Sequence, residues 1–177
     1  SLPRMDFSKG IPPQSSVLVV VPTLLSGSQN IGDLIEALEV RFLANRDGGL
    51  FFGLLTDFPD ATEESPPSDA PLLRSAETGI EALNEKYGRA EGGPFFLFHR
   101  PRRWNSQEKI WMGYERKRGK LADLNSLLRG GIRDPFSLIV GDTDTLSSVK
   151  YVITLDTDTQ LPRDSARQFA GAMAHPL

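Results

Sequence analysis

Two carboxylates one residue apart, Asp156 and Asp158, directly follow a largely apolar run at residues 151–155. The valine and isoleucine of this run favour a buried strand, most naturally a parallel strand covered on both faces. In open α/β sheets, ligands bind outside the carboxyl ends of such strands. Carboxylate oxygens there suit Mg²⁺ or Mn²⁺ and, through the cation, a diphosphate. The pattern predicts a metal-bridged nucleotide-sugar site.

The same tetrapeptide, Asp-Thr-Asp-Thr, occurs twice, at residues 142–145 and 156–159. In the first copy Gly141 separates the acids from the preceding apolar run, which indicates a turn. In the second copy the acids leave the strand directly, and residues 161–165 indicate the start of a helix. We therefore assign the metal site to the second copy and interpret the first as a polar surface turn. A capping turn at the second copy remains the structural alternative.

The composition is that of a soluble globular protein. With 177 residues the chain has the length of one ordinary domain with a sizeable core. A net charge of −3 gives no support for nucleic-acid binding, although residues 99–133 are rich in arginine and lysine. The absence of cysteine excludes disulfides and thiolate metal sites. No apolar stretch has the length of a membrane span and no signal-peptide pattern occurs, so we expect this piece to be soluble. Because the chain has no initiator methionine and no polar tail after residues 174–177, we expect it to be excised from a larger protein.

Apolar periodicity predicts an alternation of strands and helices. Such an alternation implies an open, mostly parallel, doubly wound α/β sheet with helices on both faces. Residues 1–16 are expected to form an extended lead-in, residues 61–71 a mobile loop and residues 105–116 an irregular segment. The domain proper is assigned to residues 17–177. Strands are expected at 17–21 (ended by Pro22), 50–56, 95–98, 136–140 and 151–155, and helices at 31–43, 72–87, 120–129 and 165–174.

Polar residues follow three of the predicted strands, in addition to the acid pair. They are Thr23 after the first, Asp57 after the second, and His99 with Arg100 after the third. In a parallel sheet these positions converge on one edge. Asp57 could accept hydrogen bonds from a base or a ribose, although Asp-Phe-Pro-Asp is also turn chemistry.

A basic segment opens the third predicted helix. Arg118, Gly119 and Lys120 lie there, and the free N–H groups of a helix start together with these cations favour a diphosphate. Asp123 and Asn125, in the same helix, could face a sugar or a base. A solvated basic turn is the alternative. Three aromatic residues precede this basic segment: Trp104, Trp111 and Tyr114. Their rings could stack on a sugar or could equally be packing residues.

These motifs together resemble a known family. Residues 117–125 followed by residues 151–159 resemble the processive glycosyltransferases of the GT-A fold. Two longer strings resemble the cyclic β-1,2-glucan synthases: Phe-His-Arg-Pro-Arg-Arg-Trp-Asn at 98–105 and Trp-Met-Gly-Tyr-Glu-Arg-Lys-Arg-Gly-Lys at 111–120. The similarity covers nearly the whole chain.

The resemblance implies part of a multidomain, membrane-embedded synthase at the cytoplasmic face of the bacterial inner membrane. Its transferase domain would use UDP-glucose and a divalent cation to extend a glucan acceptor. Asp156 and Asp158 would hold the metal and diphosphate, Asp57 the uridine end, and Lys120 with its neighbours the phosphates. In this family the catalytic base lies beyond the acid pair, so no residue here is assigned as the base and the isolated chain is expected to be inactive.

Two other functions remain as alternatives at this point. A nucleotidyltransferase on a similar sheet would more often carry a glycine-rich phosphate loop after the first strand, where residues 22–30 contain only Gly27. A non-catalytic regulatory domain would bind its nucleotide without a metal. Whether nucleotide binding requires a divalent metal therefore separates a regulatory domain from a transferase.

Overall fold

The computed structural model describes Phe7, residues 9–88 and residues 92–174. Part of the expected lead-in, residues 1–6 and 8, lies outside the described residues, and Pro13–Ser15 form a short 3₁₀ turn before the first strand. The main elements are the strands β1 (Ser16–Leu24), β2 (Leu50–Asp57), β3 (Phe95–His99), β4 (Arg103–Asn105), β5 (Ile110–Met112), β6 (Leu138–Val140) and β7 (Val149–Thr154), and the helices α1 (Ser28–Ala44), α2 (Asp69–Tyr87), α3 (Arg116–Gly130) and α4 (Ser165–Met173).

Five strands form the main sheet, in the order β6-β3-β2-β1-β7. β1 is parallel to both of its neighbours, β2 and β7, and β2 is parallel to β3. β6 is antiparallel to β3 and lies at one edge. The predicted α/β class with a mostly parallel open sheet is confirmed.

The side chains of β1 alternate between two apolar layers. Val17, Val19 and Val21 belong to the larger layer, which also contains residues of α1, α2 and α4. Leu18 and Val20 face the other layer, which contains Leu124 and Leu127 of α3. All of these β1 side chains are fully buried, as expected for a central strand covered on both faces. The prediction of helices on both faces is confirmed.

The first strand extends past Pro22, where the sequence predicts that it ends. The carbonyl of Val20 accepts a hydrogen bond from the amide of Leu155, at the end of β7. Pro22 lies two residues further and so directs its nitrogen to the same side, where β7 no longer pairs. No ladder donor is needed there, and β1 continues beside β2 to Leu24. β1 and β7 therefore pair only as far as Val20 and Thr154, and the carboxyl end of β1 continues without β7.

Two local predictions are wrong. β7 is only partly buried, with Lys150 and Thr154 exposed, since among the described residues it pairs with β1 alone. The segment expected to be irregular contains the antiparallel hairpin β4–β5, in which Trp104 lies opposite Trp111. A cross-strand aromatic pair of this kind stabilises a short hairpin. Ala61 extends the hairpin by two hydrogen bonds with the backbone of Trp111.

The third helix begins at Arg116, four residues before its predicted start, so the basic segment lies within its first turns. The first Asp-Thr-Asp-Thr copy begins a 3₁₀ turn, Thr143–Ser148, where the carboxylate of Asp142 accepts from the amide of Asp144. Within the described part of the chain, no helix is long and apolar enough to cross a membrane.

Candidate functional site

A buried ion cluster lies at the carboxyl edge of the sheet. It comprises Asp57 at the end of β2, Arg100 just after β3, and Lys120 of α3, each at most 3% exposed. Arg100 donates to both carboxylate oxygens of Asp57, from Nε at 2.9 Å and from Nη2 at 3.0 Å. Lys120 Nζ lies 3.4 Å from Oδ2 of the same carboxylate. We call these three residues the Asp57 cluster.

The Asp57 cluster contains two cations around one buried carboxylate. Burial by itself would lower the pKa of Arg100, but the hydrogen bonds and charges of Asp57 and Asp123 outweigh it and raise that pKa. Burial lowers the pKa of Lys120; Asp57 opposes this effect, and the positive charges of Arg100 and Lys117 add to it. The three residues carry one positive charge in excess, and the carboxylate of Asp123 offsets it through its ion pair with Arg100.

Two glycines allow the start of α3 to lie against this edge. A Cβ atom on Gly113 would collide with the carboxylate of Asp57, and one on Gly119 would collide with the carbonyl of Tyr114. Gly119 is thus required for packing. No side chain among the described residues caps the N-terminus of α3. Its N–H groups and dipole are oriented for an anion.

Successive lysines of α3 connect the two predicted acidic positions. Lys120 donates to the carbonyl of Thr23 at 3.0 Å and contacts Asp57. Lys117, almost one helical turn earlier, donates to Oδ1 of Asp156 at 2.8 Å. The first turns of α3 therefore reach the carboxyl ends of both β1 and β7. The structure brings together Thr23, Asp57, Lys120 and Asp156, as expected for strand ends that converge on one edge.

Asp158 lies in the loop between β7 and α4. It is exposed and lines a cleft of about 560 Å³ between α1 and residues 157–162, together with Asp33 and Glu36. Its neighbour in the acid pair, Asp156, contacts α3 instead. Both acids belong to one short loop, residues 156–159, which Arg41 of α1 holds through backbone carbonyls.

The other predicted residues differ in their surroundings. Asp123 accepts a hydrogen bond from Arg100 Nη1 at 2.8 Å, so it forms an outer layer of the Asp57 cluster. Arg118 and Asn125 are exposed on α3. Beside the cluster, a cleft of about 300 Å³ is lined by Arg100, Tyr114 and Asp123 among others. This cleft connects the buried cluster with solvent.

A buried histidine adjoins the cluster. His99 is 1% exposed, its Nδ1 lies 2.7 Å from the hydroxyl of Thr56, and its ring contacts that of Phe58 edge-on. Its Nε2 is buried without a hydrogen-bond partner among the described residues. Burial lowers the pKa of His99 to about 4. The histidine is therefore neutral at physiological pH.

Two arginines with evident roles were not among the predicted site residues. Arg100 is the cation that pairs with Asp57, and Arg41 binds the loop that carries the acids. A sequence signal existed for Arg41, because its position continues the apolar stripe of α1 three residues after the buried Leu38. A cation at a core-facing position indicates a buried polar partner. The partner itself could not be identified from the sequence.

Among the three aromatic residues before α3, Trp104 and Tyr114 are exposed and Trp111 is partly buried. The rings of Trp104 and Trp111 pack edge to face, and Trp104 is 51% exposed. Arg103 lies over the ring of Tyr114 at 4.9 Å. Each of the three aromatic rings thus has a packing partner.

The carboxylates of Asp156 and Asp158 fit a cation such as Mg²⁺, which needs only one or two protein ligands in a nucleotide site. No group of three or more His, Cys, Asp or Glu side chains in the described residues is arranged to hold a metal. Mg²⁺ in nucleotide sites takes one or two carboxylates and completes its shell with phosphate oxygens and water. Exposed carboxylates at Asp156 and Asp158 meet that requirement, and the cationic start of α3 beside Asp156 suits the phosphates.

Comparison with known proteins gives one informative similarity. The chain is 42% identical over 172 residues to cyclic beta-(1,2)-glucan synthase NdvB of Rhizobium meliloti (strain 1021). The aligned region covers 97% of this chain but only 6% of that protein, so the chain spans a small part of the relative's length. No protein-family model matches the chain.

Proposed function

This chain is homologous over nearly its whole length to part of a cyclic β-(1,2)-glucan synthase, and we propose that it is the donor-binding part of a glycosyltransferase domain. Its ligand is UDP-glucose, bound with a divalent cation. In the longer polypeptide, a membrane-embedded enzyme, the glucosyl group passes from UDP to a hydroxyl of the growing glucan. The base that accepts the hydroxyl proton is supplied from outside this chain.

One observation carries the proposal: the first turns of α3 span the sheet edge between two acidic positions. Lys117 reaches Asp156 and Lys120 reaches Asp57. A diphosphate placed between them would meet two lysines and the uncapped helix start. The nucleoside would extend toward Arg100 and Asp123, in the cleft of about 300 Å³.

Each group then has a distinct role in the transfer. Asp156 and Asp158 would hold the cation, which would neutralise the negative charge that develops on the leaving diphosphate. Lys117 and Lys120 stabilise the same charge from α3. The Asp57 cluster fixes Lys120 and the uridine end, because its buried ion pairs leave little freedom to Arg100. The bond from the sugar to the diphosphate breaks as the acceptor oxygen bonds to the sugar.

The acid pair provides the first test. We expect Asp158→Ala to abolish Mn²⁺-dependent binding of UDP, because it removes one of the only two carboxylates assigned to the cation. Titration calorimetry with UDP, with and without Mn²⁺, measures the effect. Asp144→Ala is a matched control, since Asp144 occupies the same place in the first Asp-Thr-Asp-Thr copy and should leave binding intact. Unchanged binding in Asp158→Ala would remove that residue from the role.

A ligand panel tests the proposal against its alternatives. UDP, UDP-glucose, GDP-mannose and ATP are compared by thermal shift, each with and without Mn²⁺. We expect stabilisation by UDP and UDP-glucose only when the metal is present. Stabilisation by ATP would favour a nucleotidyltransferase, and stabilisation without metal would favour a non-catalytic nucleotide-binding domain.

Lys117 provides a further prediction, with opposite effects on metal and nucleotide. In this structure its ammonium neutralises Asp156 at 2.8 Å, in a pair that is exposed on both sides. Lys117→Ala removes a cation that competes with Mn²⁺ but also removes a partner of the diphosphate. We expect Mn²⁺ alone to bind about two- to fivefold more tightly, and UDP in saturating Mn²⁺ about two- to fivefold more weakly. Calorimetry measures both, with Lys86→Ala on α2 as the distant control; a change of both affinities in one direction would contradict this role.

A further inference from the structure

Arg41, near the end of α1, binds the backbone of the acidic loop. Its guanidinium is buried, the residue being 5% exposed. Nη2 donates to the carbonyls of Thr157 at 2.9 Å and Thr159 at 2.8 Å, and Nε also donates to Thr159, at 3.2 Å. The carbonyl of Asp156 lies at the outer limit of a hydrogen bond, 3.4 Å from Nη2. One side chain therefore contacts three of the four residues of the Asp-Thr-Asp-Thr loop.

The partners of this arginine are dipoles instead of charges. Burial lowers the pKa of Arg41, and no carboxylate offsets the effect. None of the ion pairs found among the described residues includes Arg41, although Asp33, Glu36 and Asp158 line the same cleft. A buried cation is costly unless it is fully hydrogen-bonded, so the carbonyls of the loop are held to it strongly.

The contact is separate from the general anchoring of α1 to the following segment. Asn45, at the end of α1, donates to the carbonyl of Leu161 and accepts from the amide of Ala166. The carbonyl of Ala44 accepts from the amide of Asp164. These bonds fix residues 161–166 without Arg41. What Arg41 adds is confined to the loop with the two acids.

We infer that Arg41 is a positioning residue that fixes the backbone of residues 156–159, so that the carboxylates of Asp156 and Asp158 are presented to one cation. Its hold on carbonyls leaves both carboxylates exposed, that of Asp158 toward the cleft and that of Asp156 in a surface ion pair with Lys117. The planar guanidinium binds several carbonyls at once, which the single ammonium of lysine cannot reproduce. The ligand part of this inference rests on the proposed function; the ordering of the loop does not.

The test uses Arg41→Lys, which keeps the charge and most of the stem, and Arg41→Met as a second variant. Amide hydrogen exchange is followed across the protein, and Mn²⁺-dependent UDP affinity is measured by calorimetry. In Arg41→Lys we expect exchange of the Thr159 amide, which donates to the carbonyl of Asp156, to rise about tenfold and UDP affinity in Mn²⁺ to fall about tenfold. Cooperative unfolding is retained.

The matched control is Arg102→Lys. Arg102 is also a buried arginine that binds loop carbonyls, those of Pro59 and Glu64, and the carboxylate of Asp69. The same substitution there should accelerate exchange in residues 59–69 and leave the Thr159 amide unchanged. A rise at Thr159 in both variants would mean that general destabilisation, and not the loss of a specific contact, is responsible.

The remaining outcomes separate the two proposals. A folded Arg41→Lys protein with unchanged exchange at Thr159 overturns the positioning role. Faster exchange with undiminished UDP affinity also overturns it, since the contact would then be structural only. Failure of the wild-type protein to bind UDP with Mn²⁺ overturns the proposed function and the ligand part of this inference with it, while the exchange data still decide whether Arg41 orders the loop.

Discussion

Replacement of Asp57 by alanine is expected to lower the free energy of unfolding by about 3–5 kcal/mol, the usual effect of removing one partner of a buried ion pair. Asp57 is 2% exposed and accepts two hydrogen bonds from Arg100, while Lys120 lies 3.4 Å away. Its loss leaves the buried cations Arg100 and Lys120 without the carboxylate that neutralises them. Asp123 still pairs with Arg100 but not with Lys120. Urea unfolding measures the change from the shift in midpoint at unchanged slope.

Two further variants show whether the loss comes from buried charge. Asp57→Asn keeps the shape and part of the hydrogen bonding, so its loss should be smaller than that of Asp57→Ala. Glu39→Ala breaks the surface ion pair with Lys86 and should cost much less than either, because solvent screens that pair. Equal losses in Asp57→Ala and Glu39→Ala would show that burial does not govern the strength of the cluster. Asp57→Ala should also weaken UDP binding, since Lys120 and Arg100 lose the group that fixes them.

Mild acid is expected to destabilise the protein through His99, by about 3 kcal/mol between pH 6.5 and pH 4. Burial is the largest influence and lowers the pKa of this histidine from 6.5 to about 4; the carboxylates of Asp57 and Asp69 oppose it, and Arg102 and Lys120 add to it. Between these pH values the unfolded chain binds a proton at this residue and the folded protein does not. Stability is therefore complete above pH 6.5, falls as the pH is lowered toward 4, and changes no further through this group below that value.

The comparison of wild type with His99→Gln isolates this contribution from that of the carboxylates. The free energy of unfolding is measured by urea at several pH values between 4 and 7.5. The stability difference between the two proteins should change by about 3 kcal/mol over the range, with the wild type losing more on acidification. Parallel curves would mean that His99 titrates normally in the folded protein. The amide of glutamine can still bond the hydroxyl of Thr56, which limits the structural effect of the substitution.

Local patterns in the sequence determined the class of the fold and the edge at which the candidate site lies. Each central strand is a run of apolar residues, and each amphipathic helix shows its period, so their alternation predicts a parallel sheet without knowledge of any long-range contact. Asp156 follows such a run directly, and Asp57 and Arg100 each follow one after a single polar residue. Their place at the carboxyl edge results from the direction of the parallel strands and needs no further information.

Two features could not be predicted from local patterns: strands that are very short, and the extent to which other elements cover a strand. The strands of the β4–β5 hairpin have three residues each, too few to show an alternation, and they are held by the Trp104–Trp111 pair and by Ala61 from another loop. The apolar run of β7 predicted a strand correctly but not its exposure. Periodicity reports which residues are apolar, whereas burial depends on which other elements cover them.

The sequence by itself determined that acids and bases occur at strand ends and at the start of a helix; only the tertiary structure decided which of them pair. Asp57 meets Arg100 43 residues away, Lys117 meets Asp156 across 39 residues, and Arg41 reaches the carbonyl of Thr159 118 residues further along the chain. The energy of such contacts depends on distance, burial and the direction of each donor, and none of these is encoded in local spacing. A residue's type shows what it can bind, and only the packing of helices on the sheet shows what it binds.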